Sequence, residues 1–397
     1  MTDSILVLNA GSSSIKFQLF AVEGRALQRR LKGQIEGIGA QPHFTAKDAE
    51  GALLVEQSYA SGEVADVPSA MAILNRWLEE RLAGARPMAV GHRVVHGGPN
   101  FDAPVLVDDG VLAELEDYVP LAPLHQPNNL APIKAIRERW PATPQVACFD
   151  TAFHRGHGDL ADRFAIPEGL YREGVRRYGF HGLSYEYIAQ ALPQVAPEVA
   201  DGRVIVAHLG SGASLCALKA GRSLDSTMGF TALDGLPMGT RPGALDSGVV
   251  LYLIGHKGMS AAELEHLLYH GSGLKGLSGV SNDVRDLLAS DAPGAKLALD
   301  YFAYRTAKEM GALASVLGGL DAIVFTAGIG ENAPEIRKSI CERMAWLGVT
   351  LDEVANAQGE TRINQGDSRP LVLVIPTDEE RMIAEHTLDC TELRKAG

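Results

Sequence analysis

The chain has 397 residues, enough for two or three domains, and its 46% hydrophobic and 21% charged residues exclude a disordered chain. A formal net charge of -13, no long Lys/Arg run and only 6% aromatic residues exclude a nucleic-acid surface. Four cysteines, Cys148, Cys216, Cys341 and Cys390, form no C-x-x-C pair, which excludes a disulfide framework or zinc site and fits a reducing, cytoplasmic compartment. Glycine is over-represented, with 43 residues, about 11% against a usual share near 7%. That excess asks for turns, close backbone approaches or phosphate loops.

In chain order, the first element is the apolar run Ile5–Leu8. No basic segment or cleavage site precedes it, so no signal peptide is expected, and no apolar stretch is long enough to span a bilayer. A Gly/Ser turn and the β-rich run Ile15–Phe20 complete a hairpin signal. A helix is predicted from Ser69 to Leu82 with Ser69 as its cap, and buried strands over Met88–His96 and Gln145–Asp150. The hairpin grammar then returns: Val204–Leu209, the turn Gly210–Ser214, and Leu215–Gly221. Helices are predicted over Gly248–His256, over Ser260–His270 with Glu263 three residues after a Ser cap, and over Pro293–Leu317. Strands follow at Ala322–Gly328 and Leu371–Pro376. Alternating strands and helices predict an α/β fold with parallel or mixed sheets. The repeated hairpin predicts a duplicated βββαβα-type unit with a boundary near Thr151–Phe153; two unrelated hairpins are the alternative.

There is no P-loop motif. One G-x-G-x-x-G occurs at Gly271–Gly276, but it follows a helix pattern, so it reads as a helix C-cap and loop and not as a dinucleotide site. The turn from Asn9 to Ser14, followed by Lys16, brings small residues, hydroxyls and a cation together as an anion would need. Gly210–Gly212 and a third Gly-rich turn, Gly328–Asn332, stand at two further strand ends. Three such turns suit a nucleotide held between two duplicated domains. Arg93 and Arg241 sit among glycines, where forked guanidinium groups clamp carboxylate or phosphate oxygens. His125 and His181 are flanked by apolar and turn residues, Asp150 ends a strand, and Asp378-Glu379-Glu380 follow another. His154 and His157 form an H-x-x-H that reads as a solvated loop.

Taken together, LNAGSSSIKFQLF, GHRVVHGG, LAPLHQPNN, FDTAFH, RYGFHG, HLGSGAS, MGFTALDGLPMGTRPG, SGVSNDVRD, FTAGIGENA and VIPTDEERMIA resemble the acetate kinase family in order and from end to end. The resemblance implies an α/β fold of two duplicated ribonuclease H-like (actin-like ATPase) domains with an interdomain active-site cleft. Residues 1–152, completed by a C-terminal helix over 382–397, would form one domain, and residues 153–381 the nucleotide-binding one. It also implies a homodimer, Mg2+ (or Mn2+), and reversible in-line phosphoryl transfer between ATP and acetate, giving ADP and acetyl phosphate without a phosphoenzyme.

Residue by residue, the resemblance implies that Asn9 and Glu379 hold the metal. Ser12, Ser14 and Lys16 would face the phosphates. Arg93 would bind the acyl carboxylate, with Asp150 orienting it, while Arg241 and His181 stabilise the transferring group. Val95, Leu124, His125, Phe180 and Ala232 would line the substrate pocket. His208, Leu209, Gly210, Ser211, Gly212, Asp283, Val284, Arg285, Gly328, Ile329, Gly330, Glu331 and Asn332 would cradle adenosine and the β-phosphate.

The chain departs from the family pattern in places. Ser211 stands for Asn and Ala232 for Pro; Pro242, Ala244 and Ser247 alter the GTRSGDLDPG segment; HGLSYEY lacks a histidine of HGTSHxY. The smaller Ala232 is expected to enlarge the pocket and admit propionate. None of these changes is expected to touch an assigned charged residue. A propionate or other short-chain carboxylate kinase is the nearest alternative, and an actin- or Hsp70-like ATPase the more distant one.

Overall fold

The computed structural model describes residues 3–11, 13–123 and 125–396, with side chains as far as residue 392. The chain divides into two compact units, Met1–Phe153 with Asp378–Gly397, and His154–Thr377.

The first unit is built on strands β1 (Ser4–Ala10), β2 (Ser14–Glu23), β3 (Ala26–Glu36), β4 (His43–Asp48), β5 (Leu53–Ser58), β6 (Ala89–Val94), β7 (Val105–Leu106) and β8 (Gln145–Phe149). Their order in the sheet is β5-β4-β3-β2-β1-β6-β8-β7. β1 is the pivot: it runs antiparallel to β2 and parallel to β6. Such a central strand is covered on both faces, which explains its unbroken apolar run ILVL. Helix α1 (Val67–Arg81) lies between β5 and β6, and helices α2 (Asp109–Asp117) and α3 (Gln126–Arg139) lie between β7 and β8. Leu6, Leu8, Phe17, Val90, Met71, Leu74 and Ile136 share one buried cluster on the α1–α3 side. Val90 faces that core, whereas its neighbour Gly91 faces Ile383 and Thr387 of the C-terminal helix (Glu379–Ala396). Helix α1 begins earlier than the sequence suggests. Its cap is Asp66, and Ser69 is the reciprocal third residue of the capping box.

The second unit repeats the plan with β9 (Arg203–Leu209), β10 (Ala213–Lys219), β11 (Arg222–Ser226), β12 (Ala322–Thr326) and β13 (Leu371–Val374), ordered β11-β10-β9-β12-β13. β9 is antiparallel to β10 and parallel to β12, and β12 is parallel to β13. The order β3-β2-β1-β6-β8 of the first unit has the same connectivity, so the duplication inferred from two hairpins extends to five strands in each unit. Its helices include α4 (Gly182–Val195), α5 (Ser247–Gly255), α6 (Ala261–His270), α7 (Gly273–Ser278), α8 (Val284–Leu288), α9 (Pro293–Leu317), α10 (Ala327–Asn332) and α11 (Pro334–Arg343). The Ser260–Glu263 capping box of α6 forms as expected, and α9 ends on Gly318 in the left-handed region. Among the described residues no helix is long and apolar enough to cross a membrane.

One buried histidine supplies a pH test of this packing. His92 on β6 is 1% exposed; its Nε2 meets Gln145 Oε1 at 2.7 Å, and its Nδ1 has no hydrogen-bond partner. Burial pushes its pKa down to about 4, against the opposing pull of Gln145. The folded ring is therefore neutral, while the unfolded ring takes a proton below its ordinary value of 6.5. The unfolded state binds the extra proton, so stability falls with pH through that window, by roughly 1.4 kcal/mol per unit. Denaturant midpoints at pH 7.5 and 5 are expected to show a shallower pH slope in His92→Gln than in the parent chain. An unchanged slope would remove His92 from the acid response.

Candidate active site

The candidate residues of the first unit gather where β1, β6 and β8 end beside the start of the C-terminal helix. Arg93 on β6 holds Asp150, just past β8, in a two-pronged pair, Nε to Oδ1 at 2.8 Å and Nη2 to Oδ2 at 2.6 Å. Its Nη1 donates to Asn9 Oδ1 at 3.2 Å and lies 3.9 Å from Glu379 Oε2. Asn9 Nδ2 donates to Glu380 Oε1 at 2.9 Å. Asp150 is 2% exposed and Glu379 14% exposed at their side chains, so these charges meet largely out of water. Burial opposes the Arg93 charge, but Asp150 and then Glu379 outweigh it and hold the guanidinium above its ordinary pKa. Burial raises the Glu379 carboxyl, against the pull of Arg93 and, more weakly, of Lys16. Lys16 itself is exposed on β2, directly opposite Asn9.

This cluster is rich in oxygen acceptors. Three carboxylates, Asp150, Glu379 and Glu380, face Arg93, and the buried Gln18 Oε1 beside Glu380 has no hydrogen-bond partner. Carboxylate and amide oxygens are the donors that a hard divalent cation takes, so Asn9 and Glu379 fit one. Among the described residues no trio of His, Cys, Asp or Glu is arranged to hold a metal alone. A cation that keeps water and phosphate ligands needs only one or two protein oxygens.

In the second unit, the turn after β9 is the focus. Gly210 N donates to Gly212 O at 3.0 Å, and a side chain at Gly212 would stand 3.1 Å from Arg241 Nη2 and 3.2 Å from His181 Nε2. The absence of a side chain at Gly212 leaves room for the ends of the Arg241 and His181 side chains, which converge on that spot. His181 sits in the left-handed region, φ 58°, at the N-cap of α4. Its Nδ1 meets Ser214 Oγ at 2.8 Å, and its ring stacks on His208 at 4.1 Å; His208 Nδ1 meets Ser184 Oγ at 2.8 Å. Arg241 donates through Nη1 to Ala232 O at 2.8 Å. Among the described residues it has no carboxylate partner, and burial lowers its pKa, with Tyr269 opposing. A desolvated, unpaired fork is suited to an anion.

The remaining expectations are distributed as follows. Val95 is buried just past β6, Phe180 is buried before His181, and His125 is the N-cap residue of α3. Ser14 opens β2 and Ala232 is half-buried. Asp283 caps α8 at the Arg285 N–H, next to Val284, and pairs with the exposed Arg285 side chain. Ser12 and Leu124 lie outside the described residues.

Three expectations need correction. Gly328–Asn332 is not a turn: β12 passes straight into helix α10, and Glu331 Oε1 accepts the backbone N–H groups of Ala327 and Thr377 at 2.8 and 3.2 Å. His154 and His157 are not solvated. Both rings converge on Ser223 Oγ at 2.8 and 2.7 Å, and His154 Nε2 meets Phe180 O at 3.0 Å, behind His181. One departure from the family pattern does touch a charged site residue, through its backbone, and a second stands one contact away from His181. Ala232 supplies the carbonyl that Arg241 bonds, and the Tyr185 hydroxyl bonds Ser214, the partner of His181.

Sequence reasoning missed two supporting side chains. Asn129 accepts from Val95 N at 2.9 Å and donates to Ala10 O at 2.6 Å, joining the ends of β6 and β1. Arg337, 1% exposed, donates to the carbonyls of Gly330 and Glu331 at 2.9 Å, and so closes the end of α10. Asn129 lies inside a motif already singled out, whereas Arg337 on α11 reads from sequence as an ordinary surface arginine.

The sequence pattern of the acetokinase family matches residues 4–385. A protein of Nitrobacter hamburgensis named acetate kinase is 63% identical over 387 residues, covering 97% of this chain and 96% of that one. An acetate kinase of Rhizobium meliloti is 57% identical over 386 residues, covering 97% and 98%. Among solved structures, a propionate kinase from Francisella tularensis superposes with a TM-score of 0.89 at 37% identity, covering 98% of this chain and 99% of that one. The acetate kinase of Porphyromonas gingivalis gives 0.85 at 36% identity, covering 98% and 100%. The likeness thus spans the repeated actin-like sheets and every motif that carries a candidate residue, and the chain belongs to the acetokinase family.

Proposed function

We propose that this chain catalyses reversible phosphoryl transfer between Mg-ATP and acetate, forming ADP and acetyl phosphate by direct in-line displacement. The observation that carries the reading is the convergence of Arg241 and His181 on Gly212, with the guanidinium free of any carboxylate among the described residues. A transferring phosphoryl group spreads negative charge over its equatorial oxygens, and positioned cations lower that barrier. Arg93 takes the acyl carboxylate, and Asp150 fixes its fork through two hydrogen bonds. A carboxylate is already a nucleophile at pH 7, so no general base is required and Asp150 acts as an orienter. Val95, Leu124, His125, Phe180 and Ala232 shape the acyl pocket. Ser12, Ser14 and Lys16, His208–Gly212, Asp283–Arg285 and Gly328–Asn332 receive the nucleotide. Asn9 and Glu379 would hold Mg2+ or Mn2+, which when bound neutralises phosphate charge.

A hydroxamate assay for acyl phosphate with acetate, propionate and butyrate tests this reading. Acetate is expected to have the highest kcat/KM. Propionate clearly ahead of it would establish the second reading, which the small side chain at Ala232 and the likeness to a propionate kinase favour. ATP turnover that needs no acid would overturn both.

We also infer a homodimer that covers helix α5. None of its nine residues is buried, and Val249, Leu251, Tyr252 and Ile254 are 40 to 70% exposed. A helix apolar all round is a poor solvent face, and a second copy is the occupant that the family implies. Light scattering is expected to give twice the chain mass for the parent and the single mass for Leu251→Asp. A parent chain that runs as a monomer would overturn the dimer. The free thiols of Cys148, Cys216, Cys341 and Cys390 support a cytoplasmic location.

A further inference from the structure

Arg241 has a difficulty that its own contacts do not resolve. It is a long side chain with a single hydrogen bond among the described residues, to Ala232 O, on a segment flanked by Gly239, Pro242 and Gly243. A guanidinium that must stand within a fraction of an ångström of a reacting group needs its backbone fixed from outside. The fixing comes from the one G-x-G-x-x-G motif, for which the reaction otherwise has no use. Ser272 N donates to Thr240 O at 3.0 Å, Leu274 N to Met238 O at 2.9 Å, and Lys275 N to Gly239 O at 3.0 Å. Thr240 Oγ1 donates back to Tyr269 O at 2.7 Å. Every residue from Met238 to Thr240 is therefore tied to the corner between α6 and α7.

Gly273 lies at the centre of that corner. Its φ is 63°, and a Cβ there would collide with Met238 O and stand 2.7 and 2.8 Å from Arg241 O and N. The close approach is what lets the two segments interlock. Tyr269, whose carbonyl accepts from Thr240, also lies near enough to Arg241 to oppose the effect of burial on its guanidinium. The corner is itself anchored, because α7 packs along α9 and Leu274 is fully buried. On its other side, Gly239 N donates to Ser211 O at 3.1 Å, so the seat also reaches the turn on which Arg241 and His181 converge.

We infer that the Gly271–Gly276 segment, the corner from the end of α6 into the start of α7, through Gly273 and the Thr240–Tyr269 contact, is the positioning element of Arg241, setting where the guanidinium stands during phosphoryl transfer. The inference rests on the reading of Arg241 given above. It is tested by double-mutant cycles of Gly273→Ala and Thr240→Val with Arg241→Ala. In the parent background, Gly273→Ala is expected to lower kcat about a hundredfold, and Thr240→Val about tenfold, with KM for both substrates little changed. In the Arg241→Ala background each should change kcat by less than about twofold, because the group they position is gone. If Gly273→Ala does not fold, the Thr240→Val cycle decides alone. Equal losses in both backgrounds, or parent-like kcat in Thr240→Val, would overturn the inference while leaving Arg241 its role. A small loss in Arg241→Ala by itself would instead overturn that role, and the inference with it.

Discussion

Alanine in place of Arg241 is expected to lower kcat by about a thousandfold, the scale of losing one preorganised donor to a transition-state oxyanion. The direction of the stability change makes this result diagnostic. Arg241 has no carboxylate partner among the described residues, and burial disfavours its charge. Removing it therefore breaks no ion pair and relieves a desolvated cation, at the cost of one hydrogen bond to Ala232 O. The variant should unfold at an equal or higher denaturant concentration than the parent while being nearly inactive. Function retained at the expense of stability is the mark of a site residue. Arg241→Lys should recover only part of the rate, because an ammonium keeps the charge but loses the fork. Rates in both directions, with denaturant midpoints, decide the matter. A loss below about tenfold would count against the role.

The frame of the fold was legible because its central strands are fully buried and so read as apolar runs. β6, β8, β12 and β13 fall within predicted strands, and β1 and β9 extend beyond theirs by one to three residues. β3, β4, β5 and β11 were not legible, since they carry alternating or charged sequences such as ALQRRLKGQIE, whose strand state comes from pairing with neighbouring strands, β3 with β2, β4 with β3, β5 with β4 and β11 with β10. The site divided in the same way. Residues fixed by a motif at a strand end, such as Asn9, Arg93, Asp150 and Arg241, could be named from the sequence. Those whose part depends on distant pairing could not. Arg337 reaches the end of α10 only because α11 folds back beside it, and His154 reaches Phe180 O only through the packing around Ser223. The G-x-G-x-x-G motif shows the limit from the other side. Its glycines were visible, but their reason is a neighbouring backbone that no sequence spacing reveals.

Arg93→Met is expected to abolish measurable acyl phosphate formation and, unlike Arg241→Ala, to destabilise the chain strongly. Arg93 is clamped by Asp150 and adjoined by Glu379, two carboxylates almost out of water. Removing one partner of a buried ion pair leaves an uncompensated charge, a loss of about 3–5 kcal/mol. The pH dependence identifies the cause. Burial already holds the Glu379 carboxyl above its ordinary pKa, and Arg93 is the main group opposing that rise. Without Arg93 the folded state should bind protons that the unfolded state has released. Its stability should then fall as pH rises through the carboxyl range and recover as pH is lowered. Denaturant midpoints of parent and Arg93→Met should accordingly converge towards pH 5 and separate towards pH 8. Arg93→Met combined with Asp150→Leu should regain part of the stability at pH 8 without regaining activity, because it removes one of the two stranded carboxylates and its repulsion of Glu379 but not the need for a carboxylate clamp. A deficit that is the same at every pH would mean that Arg93 stabilises the unit by packing alone.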